Sequence, residues 1–242
     1  MVDIHTHILH GVDDGAETFE EALFMLEDAY SNGTTDIVLT PHYLNNDLRS
    51  MGASKEEILK KFEVLKAAAS EKYKQLNLYL GAETFAAANI LECAEQGLLL
   101  PINNTRYLLL EFGFNDTVSR ALTVMRELHR MGYIAVIAHP ERYEFFLKGP
   151  QHVLSFLDEG ALLQINADSI MGRNGRASRE MALTLIDSGL AAIVASDAHS
   201  VGFRPPDLSE AYSYVSSEYD LDCAEALFER NPKIILQNKI IL

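Results

Sequence analysis

Short apolar runs recur along the whole chain, and almost every one ends in a histidine or an acidic residue. Such runs are typical of buried parallel strands, whose carboxyl ends meet at one edge of a sheet or barrel. The pattern therefore predicts one polar site built from many strand ends. The segments that carry it are Asp3-Ile4-His5-Thr6-His7, Thr40-Pro41-His42, Gly81-Ala82-Glu83, Leu109-Leu110-Glu111, Ala138-His139-Pro140 and Ser196-Asp197-Ala198-His199.

The first of these segments carries two histidines, His5 and His7, two residues apart. On a strand, such residues project from the same face, so both imidazoles can reach one point. Neutral imidazole is the commonest protein ligand for borderline metals. Alone, the pair is more typical of polar residues at a strand end, and the recurrence of similar strand ends is what indicates a metal site.

Strand and helix patterns alternate throughout the 242 residues without a linker rich in Pro, Gly or Ser. We therefore expect a single domain over residues 1–242, with a parallel sheet and right-handed crossovers. Seven units approach a (β/α)8 barrel, with the site at the carboxyl ends of the strands. A doubly wound open sheet is the alternative. The predicted strands are 2–4, 36–39, 76–80, 107–110, 133–138, 162–165 and 191–195, and the main helices are 17–31, 54–74, 89–96, 117–131, 152–159, 178–188, 208–215 and 223–230.

The charge balance limits the partners that this chain can bind. The formal net charge is −15, which disfavours nucleic-acid backbones and anionic membranes. Two cysteines, Cys93 and Cys223, offer neither a disulfide framework nor a thiolate zinc site. Without a long apolar run or a secretory leader pattern, we expect a cytoplasmic protein that does not insert into the membrane.

Nine strand-end and loop residues form the candidate metal set. Mixed imidazole and carboxylate ligands suit two or three ions of the manganese, iron or zinc type, and nine groups are too many for one tetrahedral ion. A carboxylate such as Glu83 can bridge two ions, whereas Asp14 could equally be a turn residue, as could Asp13. The set is His5, His7, Asp14, His42, Glu83, Glu111, His139, Asp197 and His199. The remaining histidines, His10, His129 and His152, are expected outside it.

Two arginines follow predicted ligands closely in sequence, Arg142 after His139 and Arg204 after His199. Guanidinium groups grip phosphate through paired hydrogen bonds, so both are candidate phosphate contacts. In an acidic protein, a phosphate substrate needs such a local positive site. The chain lacks a cysteine-nucleophile phosphatase loop and a glycine-rich nucleotide loop, which disfavours both chemistries.

The motifs His5-Thr6-His7, Thr40-Pro41-His42, Gly81-Ala82-Glu83, His139-Pro140-Glu141-Arg142-Tyr143 and Ser196-Asp197-Ala198-His199 resemble the polymerase-and-histidinol-phosphatase (PHP) superfamily. The stretch from Asp3 to Gly15 and the Arg204-Pro205-Pro206 segment resemble, more specifically, the manganese-dependent tyrosine-protein phosphatases of Gram-positive capsule and exopolysaccharide clusters, the CpsB/CapC/YwqE group. The resemblance extends nearly end to end. His10 and Tyr43 depart from the family pattern, where proline and a second histidine are common.

This resemblance implies a distorted (β/α)7 barrel of the PHP type with three manganese ions, iron or zinc being possible substitutes. It implies one ion on His5, His7, Glu83 and Asp197, a second on Glu83, Glu111 and His139, and a third on Asp14, His42 and His199. A metal-bridging hydroxide would attack phosphotyrosine while Arg142 and Arg204 hold the phosphate. The implied substrate is the tyrosine-rich tail of an autophosphorylating bacterial tyrosine kinase that controls polysaccharide synthesis, and the implied assembly is a homo-oligomer.

Three other functions remain open at this point. A related PHP enzyme would act on a small phosphate ester such as histidinol phosphate, which favours an enclosed pocket. The loops at residues 43–51 and 112–117 would decide between an enclosed and an open site. A nuclease of the superfamily is disfavoured by the acidic charge, and a metal-stabilised docking module would not need both arginines.

Overall fold

The computed structural model describes residues 1–44, 52–113 and 116–241, and it shows an α/β fold in which all paired strands are parallel. The α/β class predicted from the sequence is therefore confirmed. The strands are β1 (Val2–Thr6), β2 (Asp36–Leu39), β3 (His42–Tyr43), β4 (Asn77–Leu80), β5 (Glu83–Phe85), β6 (Tyr107–Glu111), β7 (Ile134–Ala138), β8 (Leu162–Asn166) and β9 (Ile193–Ala195).

The strands form two sheets, ordered β1-β2-β4 and β3-β5-β6-β7-β8-β9. Because β3 follows β2 and β5 follows β4 after short breaks, each of these pairs occupies one strand position, which gives seven positions. An isolated parallel bridge between Thr6 and Ala198 joins the first strand to the segment after the last. There, His7 N donates to Ala198 O at 2.8 Å and Asp197 N donates to His5 O at 2.9 Å. Among the described pairings this contact is a bridge and not a continuous closing ladder.

Helices follow most of the seven strand positions, and three of the longer helices begin with a capping residue. Thr18, Ser54 and Thr117 each accept a hydrogen bond from the backbone amide three residues later, which satisfies a free amide at the helix start. The helices are α1 (Phe19–Ser31), α2 (Lys55–Lys72), α3 (Ile90–Glu95), α4 (Val118–Arg130), α5 (Glu144–Leu147), α6 (His152–Asp158), α7 (Ala167–Ile170), α8 (Arg176–Asp187), α9 (Ser209–Glu218), α10 (Leu221–Glu225) and α11 (Asn231–Leu236).

Three buried apolar clusters surround the strands, and one of them is built mainly from strand residues. In that cluster Ile4, Val38, Leu109, Val136 and Ala195 pack together, each fully buried. This apolar layer closes the interior below the strand ends, so the polar side chains that follow it are confined to the carboxyl ends. The fold thereby concentrates the candidate site at one end, as the sequence pattern predicted.

Several elements differ from the predicted boundaries. His42 and Glu83 lie inside the short strands β3 and β5 rather than in loops, because the breaks before them are only two residues long. The turn Pro140–Arg142 and helices α5, α7 and α11 were not predicted, since elements this short carry little periodicity. Residues 45–51 and 114–115 of the two loops that bear on pocket shape lie outside the described residues. No helix of the described chain is long and apolar enough to cross a membrane. The single-domain organisation stays a prediction.

Candidate metal centre

The predicted ligands and both arginines meet at the carboxyl ends of the strands. One pocket is lined by Asp14, His42, Glu83, Glu111, His139, Arg142, Asp197, His199 and Arg204. His5 and His7 are fully buried and contact the lining residues Glu83 and Asp197. The structure therefore brings together all eleven residues that the sequence singled out.

A shift in the β1–β2 register supplies the two histidines. One extra residue stands on β1 between Asp3 and Thr6, as in a β-bulge. Ile4 therefore packs in the apolar layer while His5, the next residue, faces the polar site. His5 and His7, two residues apart, both reach Glu83 and Asp197.

The first donor group has the spacing of a metal site. The Nε2 atoms of His5 and His7 lie 3.2 Å apart, and each is 3.4–3.5 Å from Glu83 Oε2 and from Asp197 Oδ1. Four donors at tetrahedral corners about 2.1 Å from one ion would lie about 3.4 Å apart. His5, His7 and Glu83 thus have the spacing of donors to one divalent ion, and Asp197 Oδ1 faces both imidazoles at 3.4 Å.

Glu83 connects this group to a second. Its Oε2 lies 2.9 Å from His42 Nδ1, and its Oε1 lies 2.8 Å from His139 Nε2. Glu111 Oε2 lies 3.7 Å from the same His42 nitrogen. Glu83 Oε2 and His42 Nδ1 are buried and lack a hydrogen bond of acceptable geometry, although they face each other. Buried polar atoms without such a partner are costly, and a cation between them would satisfy both.

Asp14 forms the third group at the pocket mouth. Its Oδ1 lies 3.4 Å from His42 Nε2 and 3.5 Å from His199 Nε2. Potential donor atoms of His7, Asp14, His42 and His199 all lie within 4.8 Å of one another. His42 therefore faces the second group with one ring nitrogen and the third with the other. The resemblance assigns His42 to the third ion alone, whereas in the structure this side chain also faces Glu83 of the second group.

The charge state of the centre also suits a cation. Burial opposes ionisation of Glu83 and Asp197, but the surrounding imidazoles outweigh it and hold both pKa values well below the ordinary range; the Arg204 guanidinium adds to this effect at Asp197. Burial lowers the pKa of His139 to about 4. Burial would also lower the pKa of His7, but the Asp13 carboxylate outweighs it and raises that pKa well above its usual value. Metal binding at His7 would therefore compete with protonation of that ring.

Three buried polar residues that the sequence did not single out as site residues hold the ligands in place. Asp13 Oδ2 lies 2.7 Å from His7 Nδ1, and Gln164 Oε1 lies 2.8 Å from His5 Nδ1. Asn166 Nδ2 donates to Asp197 Oδ2 at 2.6 Å. Partners of this kind fix the ring orientation and tautomer of a metal-binding histidine. For Gln164 and Asn166, the available sequence signal was their polarity within the otherwise apolar β8, the strand that supplies no predicted ligand.

Both arginines converge on Asp197. Arg142 Nη1 lies 3.3 Å from Asp197 Oδ2, and Arg204 Nη2 donates to the same oxygen. Arg204 Nη1 also lies 3.2 Å from His199 Nε2. Their side chains are 30% and 20% exposed, so the guanidinium groups stand between the buried donors and solvent. This places two positive groups where an anion entering the pocket would meet them.

Backbone strain coincides with these residues. His139, Asp197 and Arg204 have positive φ angles of 35°, 55° and 59°, in the left-handed region that residues other than glycine seldom adopt. Such conformations persist only where the surrounding structure enforces them, and they cluster at functional sites. Here they aim two candidate ligands and one candidate phosphate contact into the pocket.

Glu141 is a further buried carboxyl that sequence reasoning missed. Its Oε1 accepts hydrogen bonds from Asn166 N at 3.1 Å and from Ser169 Oγ at 2.6 Å. Burial raises its pKa to about 7. The side chain lies in the turn between His139 and Arg142, so its bonds fasten that turn to the end of β8 and the start of α7. It follows His139-Pro140 directly, which was the available signal.

The three excluded histidines do not take part in the donor groups of the described residues. His10 packs edge-on against the Phe19 ring, with ring centroids 5.4 Å apart. His129 lies in the last turn of α4 and His152 is the first residue of α6.

Comparison with known proteins identifies the family of this chain. A family model described as capsular polysaccharide synthesis, CpsB/CapC, matches residues 1–237. The chain is 37% identical to CapC of Staphylococcus aureus, over all of this chain and 93% of that protein. It is 31% identical to the tyrosine-protein phosphatase CpsB of Streptococcus agalactiae, over the full length of both.

Two solved structures show how the fold of this chain compares with those of known enzymes. A structure from crystallographic work on YwqE of Bacillus subtilis and CpsB of Streptococcus pneumoniae, metal-dependent tyrosine phosphatases, superposes with a TM-score of 0.92 at 29% identity, covering all of this chain and 96% of the other. The histidinol phosphate phosphatase of Lactococcus lactis superposes with a TM-score of 0.57 at 12% identity, covering 93% and 95%. This second similarity concerns the fold alone.

Proposed function

This chain belongs to the CpsB/CapC family of capsular polysaccharide synthesis, and we propose that it is a metal-dependent phosphatase that hydrolyses phosphotyrosine on proteins. The observation that carries the proposal is the convergence of the donor groups around Glu83 with two guanidinium groups on Asp197. Metal donors alone would fit many hydrolases, and arginines alone would fit any anion site. Together they fit a phosphate ester.

We propose that the donor set holds three divalent ions, and the family resemblance favours manganese among them. His5, His7, Glu83 and Asp197 would hold one ion, Glu83, Glu111 and His139 a second, and Asp14, His42 and His199 a third. Mixed imidazole and carboxylate donors suit manganese, iron or zinc. Bound divalent ions supply an acidified water and stabilise negative charge on phosphoryl oxygens.

The protein's own residues bind and orient the phosphate. Arg142 and Arg204 reach the pocket from two different loops, so they can grip different oxygens of one phosphoryl group. In the structure both contact Asp197 Oδ2, and a phosphate would take over part of that contact. They also provide the local positive charge that a chain of net charge −15 requires to attract a phosphoester.

The leaving group favours an aryl ester. A tyrosine phenol has a pKa of about 10, so its departure needs less proton donation than that of an alkyl alcohol. The names of the relatives support a tyrosine-phosphorylated protein as the substrate. Within that class, we favour the tyrosine-rich tail of an autophosphorylating kinase of capsular or exopolysaccharide synthesis, acted on in the cytoplasm.

One assay distinguishes the proposed function from two alternatives, a phosphatase of small esters and a docking module without activity. The metal-loaded chain is offered a phosphotyrosine peptide and histidinol phosphate at matched concentrations, and phosphate release is measured. Our proposal predicts a higher kcat/KM for the peptide. Turnover of the small ester alone would assign the chain to small-ester chemistry. Metal binding without hydrolysis of either substrate would instead indicate a docking module.

A further inference from the structure

Large apolar side chains lie exposed beside the metal centre. Phe203 is 76% exposed and Val201 is 46% exposed, and Phe203 immediately precedes Arg204. On the neighbouring helix α1, Phe24 is 64% exposed. Isolated exposed apolar residues are common, but several of them beside a polar pocket are typical of a binding surface.

These residues line a groove that begins at the centre. Asp14, His199 and Arg204 line the metal pocket and also an adjoining depression that contains Phe203. That depression shares Glu21 with a second one along α1, which contains Phe24 and Val201. We call this continuous surface the α1 groove, defined by Glu17, Glu20, Glu21, Phe24, Val201 and Phe203.

The α1 groove is mainly negative along its length, whereas its end next to the metal centre carries the positive charge of Arg204. Arg204 lies at the end next to the metal centre, in a depression that Glu17 and Glu21 also line, and Glu20 and Glu21 line the part that leads away along α1. Glu27 and Asp28 continue the acidic side, with Glu27 already paired to Lys72 at 2.8 Å. A complementary ligand therefore has a negative group at one end, then apolar surface, then positive charge.

We propose that the α1 groove binds the residues flanking the phosphotyrosine of a protein substrate and selects an extended segment with apolar and basic side chains. This inference rests on the proposed function of the centre. A segment whose phosphate is held by Arg204 would enter the depression lined by Phe203, Glu17 and Glu21 and continue along α1. A second copy of this chain, with net charge −15, does not supply the complementary charge.

The test uses two phosphotyrosine peptides that share one leucine-containing core and differ only in two flanking residues, both lysine or both glutamate. The metal-loaded, full-length chain is assayed for kcat/KM on each. Two exposed ion pairs predict a preference of about five- to tenfold for the lysine peptide. That preference shrinks in high salt, because exposed charges are screened.

Variants then locate the preference on the groove. The double variant Glu17→Gln/Glu20→Gln is expected to reduce the lysine preference to about twofold, since two of the three groove glutamates lose their charge. The control Glu71→Gln, an exposed acid on α2, keeps it. Phe203→Ala is expected to lower the ratio of peptide to p-nitrophenyl phosphate kcat/KM about fivefold through lost apolar contact. The control Leu154→Ala, a 54% exposed residue on α6, leaves that ratio unchanged.

The outcomes separate the groove from the chemistry. Peptide hydrolysis with a lysine-to-glutamate ratio near one, or with a ratio that the double variant leaves intact, overturns the groove while the proposed function stands. Peptides that are not hydrolysed at all contradict the proposed function, and the groove proposal falls with it.

Discussion

Asp13 joins two candidate ligands that arrive from different strands. Its Oδ2 lies 2.7 Å from His7 Nδ1 and accepts the backbone amide of His42 at 2.9 Å. Asp13 is fully buried, and its Oδ1 accepts the amide of Gly15. The carboxylate therefore leaves His7 Nε2 free to face the metal donors while it fixes the position of β3.

Replacing Asp13 with asparagine keeps the shape of the side chain but removes its charge. We expect Asp13→Asn to weaken metal binding about 10- to 100-fold, because the partner that orients His7 loses basicity. Titration of the metal-free protein with manganese, followed by calorimetry, measures this directly. Asp158→Asn, an exposed acid at the end of α6, serves as the control, and equal manganese affinity in both variants would refute the orienting role.

Loss of a guanidinium should impair phosphate binding specifically. For Arg142→Ala or Arg204→Ala we expect kcat/KM for a phosphotyrosine peptide to fall about 30- to 100-fold, as for loss of a strong charge-assisted contact. Competitive inhibition by inorganic phosphate should weaken in parallel. The control Arg126→Ala on α4 removes an exposed ion pair with Glu159 and should change neither kcat/KM nor the inhibition by phosphate. Unchanged phosphate inhibition in both site variants would remove the arginines from the substrate site.

Removal of the metal should lower the stability of the protein as well as abolish its activity. A ligand at 100 times its Kd contributes about 2.7 kcal/mol of stability if it does not bind the unfolded chain. For a chain of this size, that corresponds to a rise in Tm of about 5–10 °C. Scanning calorimetry of the chelated protein with and without manganese tests this, with Glu83→Gln expected to reduce the shift. Identical Tm values in chelator and manganese would argue against a metal centre.

Glu141 is expected to matter for stability through its hydrogen bonds. Glu141→Ala leaves the buried Ser169 hydroxyl and the Asn166 amide without their acceptor, which costs about 1–3 kcal/mol for each buried polar group left unsatisfied. Glu141→Gln retains an acceptor oxygen and should lose less. Urea denaturation of the two metal-free variants compares them, and equal losses would show that these hydrogen bonds contribute little.

The sequence predicted the location of the site because each ligand follows an apolar run. Glu111 ends β6 and His139 follows β7. Because β6 and β7 are parallel neighbours, their carboxyl ends lie side by side at the same edge of the sheet. Continuous apolar runs predicted the long strands, and apolar residues at helical spacing predicted the long helices. The sequence resemblance supplied the family and the activity class, which periodicity could not.

Other features depend on contacts between segments that are distant in sequence. The Asp13–His7 and Gln164–His5 pairs arise from packing, and no periodicity marks them. The bulge in β1 was also hidden, because an alternating pattern does not show where a register shifts. The dual role of His42, which faces Glu83 with one nitrogen and Asp14 with the other, required side-chain orientations.

The most direct test of the account is phosphate release from a phosphotyrosine peptide by the chelated protein before and after addition of manganese. We expect no turnover without metal, restoration by manganese, and no restoration in Glu83→Gln, which disrupts the carboxylate shared by two donor groups. Full hydrolysis by the chelated protein, or manganese restoration that is undiminished in Glu83→Gln, would contradict a metal centre organised around Glu83.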